Sequence, residues 1–200
     1  NPDSSVLAKY GITGPYATFV GRITRQKGLA HLLRAWKSVP AEYGLVLCAG
    51  SPDEPGIGAE VADLIAELQK THKSIWWIKD MLPHDELTAV LTQAELFLCP
   101  SIYEPLGIVN LEAMGCQTAV LASRVGGIPE VVKDNETGLL AEVGNPIDFA
   151  DKVILLLDNE TLQKQFTDNG YQFLKDNFTK EVIAKKMFDE LNEVLIKSQN

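Results

Sequence analysis

Short apolar runs that alternate with amphipathic helical patterns constrain this chain more than any other feature. Tyr16–Gly21, Gly44–Gly50, Ser74–Lys79, Glu95–Pro100 and Thr118–Ala122 each have the length and composition of a buried strand, and Thr137–Ala141 has that of a small sixth one. Between them the apolar period changes. Leu29, Leu32, Leu33 and Trp36 share one helical face, as do Val61, Leu64, Ile65 and Leu68 within Ala59–Thr71. Pro83 suits a helix first turn, where its missing N–H costs little. From Pro146 onward the pattern is helical, over Ile147–Leu157, Glu160–Asp176 and Lys180–Ile196. Strands buried on both faces, each followed by a helix, specify an α/β fold: a doubly wound, Rossmann-like parallel sheet. Asn1–Tyr16, polar and carrying Gly and Pro, is expected to be a linker (residues 1–15) into one domain spanning 1–200.

Bulk properties narrow the partners. A net charge of -9 disfavours a general nucleic-acid or anionic-membrane surface, and no apolar run reaches transmembrane length. Cys48, Cys99 and Cys116 lack metal-ligand spacing and read as small buried hydrophobes of a reducing, cytoplasmic compartment. His31, His72 and His84 have no partner at ligand spacing, which points to surface or capping roles. Trp76 and Trp77 are adjacent on a strand, so one belongs to each face of the sheet. The chain begins at Asn1 rather than Met, and a fragment of something longer is expected.

Ligands of such sheets gather at the C-terminal ends of the strands. Neither GxGxxG nor GxxxxGK[ST] is present there. The loop GRITRQKG instead places Arg22, Arg25 and Lys27 together in an acidic chain. Alone, such a loop is a solvated basic turn as readily as a phosphate clamp. The stretch Glu95–Gly115 adds a strand, a loop, and a helix opened by Gly107, whose first N–H groups favour an anion. Glu104 precedes that helix and Glu112 lies within it, about 7–8 Å along the axis from Gly107. Two contacts flanking a bound phosphate fit this spacing, and so do two ordinary surface acids. Taken together, the cations and the helix N-terminus favour a diphosphate site.

The segments FVGRITRQKG, CPSIYEPLGIVNLEAM, VGGIPEVV and ETGLL resemble the donor half of retaining GT-B glycosyltransferases, closest to bacterial glycogen synthases. The resemblance covers essentially the whole chain. It implies that Arg22 and Lys27 hold the donor diphosphate and, with Glu104, take part in catalysis. Glu104 meets hydroxyls of the transferred sugar, Glu112 the ribose, and backbone N–H groups of Leu106, Gly107 and Ile108 the sugar and phosphate. It further implies a nucleotide-sugar donor such as ADP-glucose, no metal and no separate cofactor. The acceptor is an α-glucan carried by an N-terminal domain of similar size, which these 200 residues do not contain. On this pattern the helix over 178–200 packs on that second domain, and the isolated chain binds donor without transferring glucose.

One departure concerns the turn after the central helix. Such proteins often carry CG, a small residue and Pro there, whereas this chain has Cys116, Gln117, Thr118 and Ala119. Other readings remain beside the resemblance: another donor and acceptor, as in sucrose synthase or cell-envelope mannosyl- and glucosyltransferases; a glycosidase using Glu104 and Glu112; and a non-catalytic nucleotide-binding module. Retaining glycosidases need carboxylates roughly 5 Å apart, and they have no use for paired cations.

Overall fold

The computed structural model describes residues 4–198. Six parallel strands form one sheet in the order β3-β2-β1-β4-β5-β6. These are β1 (Tyr16–Ile23), β2 (Gly44–Pro52), β3 (Ile75–Ile78), β4 (Leu96–Cys99), β5 (Ala119–Ser123) and β6 (Leu139–Ala141). The helices are α1 (Ser4–Lys9), α2 (Leu29–Trp36), α3 (Pro55–Leu68), α4 (His84–Gln93), α5 (Ile108–Gly115), α6 (Ile128–Val131), α7 (Pro146–Leu157), α8 (Glu160–Asn177) and α9 (Lys180–Ser198).

Strand order carries the functional consequence. The chain builds outward from β1 to β3, then returns to lay β4 on the free edge of β1. The direction of winding reverses there, which sets the loops leaving β1 and β4 side by side at the switch point where ligands of such sheets bind. Those are the loops that carry Lys27 and Glu104.

Side-chain alternation feeds both layers. Ala17 and Phe19 point into a cluster with Leu32, Trp36, Val61 and Val153, from α2, α3 and α7. Phe97 and Cys99 point the other way, to Met114 and Ile128 of α5 and α6. Trp76 and Trp77 do face opposite sides, the first toward Val46 and Ile78, the second donating its indole N–H to the Ala49 carbonyl at 2.9 Å.

Three expectations change. Residues 1–3 of the expected linker lie outside the described residues, but 4–15 form more than a linker. Val6, Leu7 and Tyr10 recur on one helical face and pack with the cluster around Ile12 and Val90. Lys9 Nζ and the Tyr10 hydroxyl each lie 2.6 Å from a different Glu86 carboxylate oxygen, tying α1 to α4. His72 is buried rather than superficial: its Nε2 lies 2.9 Å from the Val39 carbonyl and its Nδ1 2.8 Å from Thr71 Oγ1, which satisfies both ring nitrogens. Gln117 takes φ 57, so the turn after α5 keeps a left-handed residue although glycine is absent.

On α9, Ile183, Met187, Phe188, Leu191 and Val194 are exposed, and Val182 is half-buried. Leu195, expected on the same face, lies outside the described side chains. Among the described residues no helix is long and apolar enough to cross a membrane.

Candidate active site

Backbone contacts lock the β1 and β4 loops together before any functional side chain is considered. Gly28 sits in the left-handed region (φ 68), and a Cβ there would fall 1.9 Å from the Pro100 carbonyl oxygen. Only glycine permits that approach. The Gln26 carbonyl then accepts N–H groups from Ile102 (2.8 Å) and Tyr103 (3.4 Å). A third loop, GGIPE after β5, joins through the Gly127 N–H, 3.1 Å from the Glu104 carbonyl.

The clamp brings two of the sequence-predicted residues into contact. Lys27 Nζ lies 2.5 Å from Glu104 Oε2. The lysine backbone is set by its N–H, which donates to Thr24 Oγ1 at 3.1 Å. The Glu104 side chain is 11% exposed, and the Ser101 hydroxyl adds a weaker bond to Oε2 at 3.4 Å. So shielded from water, the carboxylate draws its hydrogen bonds from those two partners.

Gly107 (φ 83) caps α5 and is buried; its carbonyl accepts the Asn110 N–H at 2.9 Å, so the anion-facing amides of the first turn are those before Asn110. Asn110 braces the turn, with its fully buried Nδ2 donating to the Gly107 carbonyl at 3.0 Å. Leu106 and Ile108 are exposed beside it. Glu112, more than one turn along α5, is exposed. It forms no ion pair among the described residues.

Arg22 projects from β1 at the rim of a cavity of about 440 Å³. Gly50, Ser51, Lys79 and Asp80 line one part of it, and Val20, Cys48, Leu82 and Leu87 provide an apolar wall. Met81, 92% exposed, stands at its mouth. Arg25, the third cation of the loop, turns toward Glu54 (3.9 Å) and Glu60 (3.7 Å) instead of the crevice. Burial pushes the Cys48 thiol up to about 12, and the Cys99 thiol also rises, chiefly through desolvation. Both are neutral packing groups, as expected. Among the described residues no cluster of His, Cys, Asp and Glu could hold a metal ion.

Sequence reasoning missed Ser101 and Asn110. Each is a polar residue at or below 1% exposure, and neither forms part of a charge pattern that would single it out. The crevice thus combines a cation, a shielded carboxylate and a helix N-terminus, next to a cavity with a mostly apolar wall. That set can hold a phosphate-bearing ligand and read hydroxyl groups beside the phosphate.

The model of the family described as glycosyl transferases group 1 matches residues 8–173. The chain belongs to that family. Two curated relatives are alpha-maltose-1-phosphate synthases. The protein from Mycolicibacterium smegmatis is 54% identical over 141 residues, covering 70% of this chain and 36% of the relative. That from Mycobacterium tuberculosis is 43% identical over 198 residues, covering 95% and 51%. Among solved structures, sucrose-phosphate synthase from Thermosynechococcus elongatus superposes with TM-score 0.81 and 28% identity, covering 98% of this chain and 50% of that one. HepE from Anabaena, in complex with UDP and glucose, gives TM-score 0.85 over 96% of this chain and 53% of that one, at 19% identity that shows the fold alone. This glycosyltransferase domain therefore has the Rossmann-like sheet of GT-B enzymes. It spans about half the length of relatives such as the M. tuberculosis enzyme. Membership also removes the glycosidase reading of Glu104 and Glu112.

Proposed function

We propose that this chain is the donor-binding half of a retaining glycosyltransferase that moves glucose from a nucleoside-diphosphate glucose, ADP-glucose first among them. The observation that carries this reading is the contact of Lys27 with Glu104 at 2.5 Å, beside the N-terminus of α5. The cation meets the diphosphate, and the carboxylate accepts hydroxyl groups of the hexose. Arg22 adds a second cation, and the cavity behind it takes the nucleobase. Glu112 holds the ribose, and the amides of Leu106, Gly107 and Ile108 meet the sugar and phosphate.

In the reaction, the bond from the anomeric carbon to the β-phosphate oxygen breaks while an acceptor hydroxyl bonds to that carbon on the same face. Negative charge grows on the departing diphosphate. Lys27, Arg22 and the α5 N-terminus are fixed where it grows, so they stabilise the transition state more than the ground state. The acceptor proton leaves with the diphosphate or solvent.

Two acceptors fit this chemistry. The sequence motifs favour an α-glucan, extended as by glycogen synthases. The 54% identity to an alpha-maltose-1-phosphate synthase favours a smaller acceptor, because that product corresponds to glucose joined to a glucosyl phosphate. Either acceptor would sit on a second domain, against which the exposed face of α9 packs. Titrating the chain with ADP-, UDP- and GDP-glucose tests the donor reading; absence of binding by all of them overturns it. Incubating the full-length enzyme with the preferred donor and either glycogen or glucose 1-phosphate decides the acceptor.

A further inference from the structure

The Lys27–Glu104 pair places two donor-binding groups in mutual contact, and the contact has an energetic consequence for whatever binds between them. The Lys27 side chain is 28% exposed and that of Glu104 11%, so the carboxylate is the member more dependent on its partner. Its only other side-chain bond among the described residues is the long one from Ser101, at 3.4 Å. A ligand that draws Lys27 toward itself leaves a shielded carboxylate short of compensation.

Donor and product nucleotide make different demands on this arrangement. A free nucleoside diphosphate carries roughly one more negative charge near neutral pH than the same diphosphate esterified to a sugar. It brings no hexose hydroxyls. It therefore competes for Lys27, places a stronger anion near Glu104, and offers that carboxylate nothing in return. The nucleotide sugar competes for Lys27 less strongly and supplies hydroxyl donors to Glu104.

We propose that the Lys27–Glu104 pair discriminates between donor and product: Glu104 weakens the hold on free nucleoside diphosphate and so sets the preference for the sugar-bearing form. The proposal rests on reading this crevice as the donor site. It gives Glu104 a specificity role in addition to sugar contact, and it favours release of the product after transfer.

Glu104→Gln isolates the effect. The side chain keeps its size, and the backbone stays anchored by the Gly127 N–H at 3.1 Å. Calorimetry on the chain with ADP, ADP-glucose, UDP and UDP-glucose supplies the readout. In Glu104→Gln the free diphosphate binds roughly two- to fivefold more tightly, the scale of a partly exposed ion pair released from competition. The nucleotide sugar gains less or loses affinity, so the ratio of the two affinities falls. Glu104→Ala moves diphosphate affinity in the same direction and carries the test if the Gln variant does not fold. Unchanged or weaker diphosphate binding in a folded variant overturns the proposal. Failure of the unmodified chain to bind any of the four ligands overturns the donor-site reading itself, and the proposal with it.

Discussion

A Cβ on Gly28 would stand 1.9 Å from the carbonyl oxygen of Pro100, so a missing side chain is what allows the β1 and β4 loops to meet. That contact precedes Lys27 and Glu104 in the hierarchy of the site, because it sets the spacing at which their side chains face one another. Gly28→Ala forces the loops apart and also strains a left-handed residue, a conformation costing roughly 1–2 kcal/mol for non-glycine residues. The expected result is a loss of at least about 2 kcal/mol in stability, with nucleotide affinity reduced further in the fraction that folds. Chemical denaturation and calorimetry measure the two; a variant of unchanged stability and affinity refutes the clamp.

Arg22 and Lys27 are expected to bind diphosphate directly. Replacing either by Ala removes a charge-assisted hydrogen bond and costs on the order of 1.5–3 kcal/mol in nucleoside-diphosphate affinity. Arg25→Ala serves as an internal control. Its guanidinium lies toward Glu54 and Glu60, so affinity stays within roughly 0.5 kcal/mol of the parent, as for ordinary surface substitutions. Equal losses at Arg25 and Lys27 argue against a specific site.

Gln117 holds φ 57 at the turn between α5 and β5, a left-handed position that favours glycine. Gln117→Gly removes the steric cost of that conformation, offset in part by the greater freedom of glycine in the unfolded chain. The variant is expected to be more stable by about 0.5–1 kcal/mol. Thermal unfolding reads the change, and destabilisation shows that the Gln117 side chain contributes something the backbone geometry does not reveal.

The isolated chain is expected to bind nucleotide sugar without transferring it. Orienting an acceptor hydroxyl against the anomeric carbon can supply roughly 7–11 kcal/mol of a barrier, and on the proposed function these residues supply the donor side of that geometry. A radiolabelled transfer assay, with glycogen and with glucose 1-phosphate, measures incorporation at background level until the remaining half of the enzyme is attached. Robust incorporation by this chain alone shows that one domain suffices.

Sequence alone determined the parallel sheet, because apolar strands and amphipathic helices carry different periods that local composition imposes. Charge at the strand ends also drew attention to Arg22, Arg25, Lys27 and Glu104, and helix spacing to Glu112, while the family resemblance chose among them. Tertiary structure decided how those residues divide. Lys27 and Glu104 meet across 77 positions of sequence because β4 returns to lie beside β1, a relation set by strand order. Arg25 carries the same charge in the same loop yet turns to Glu54 and Glu60, a choice made by where α3 packs. The docking of residues 4–15 on α4, and the buried bonds of Ser101, Asn110 and His72, likewise depend on neighbours distant in sequence. Period and charge are local properties that a sequence displays directly. Which polar groups are enclosed together depends on long-range packing, and no stretch of sequence encodes that by itself.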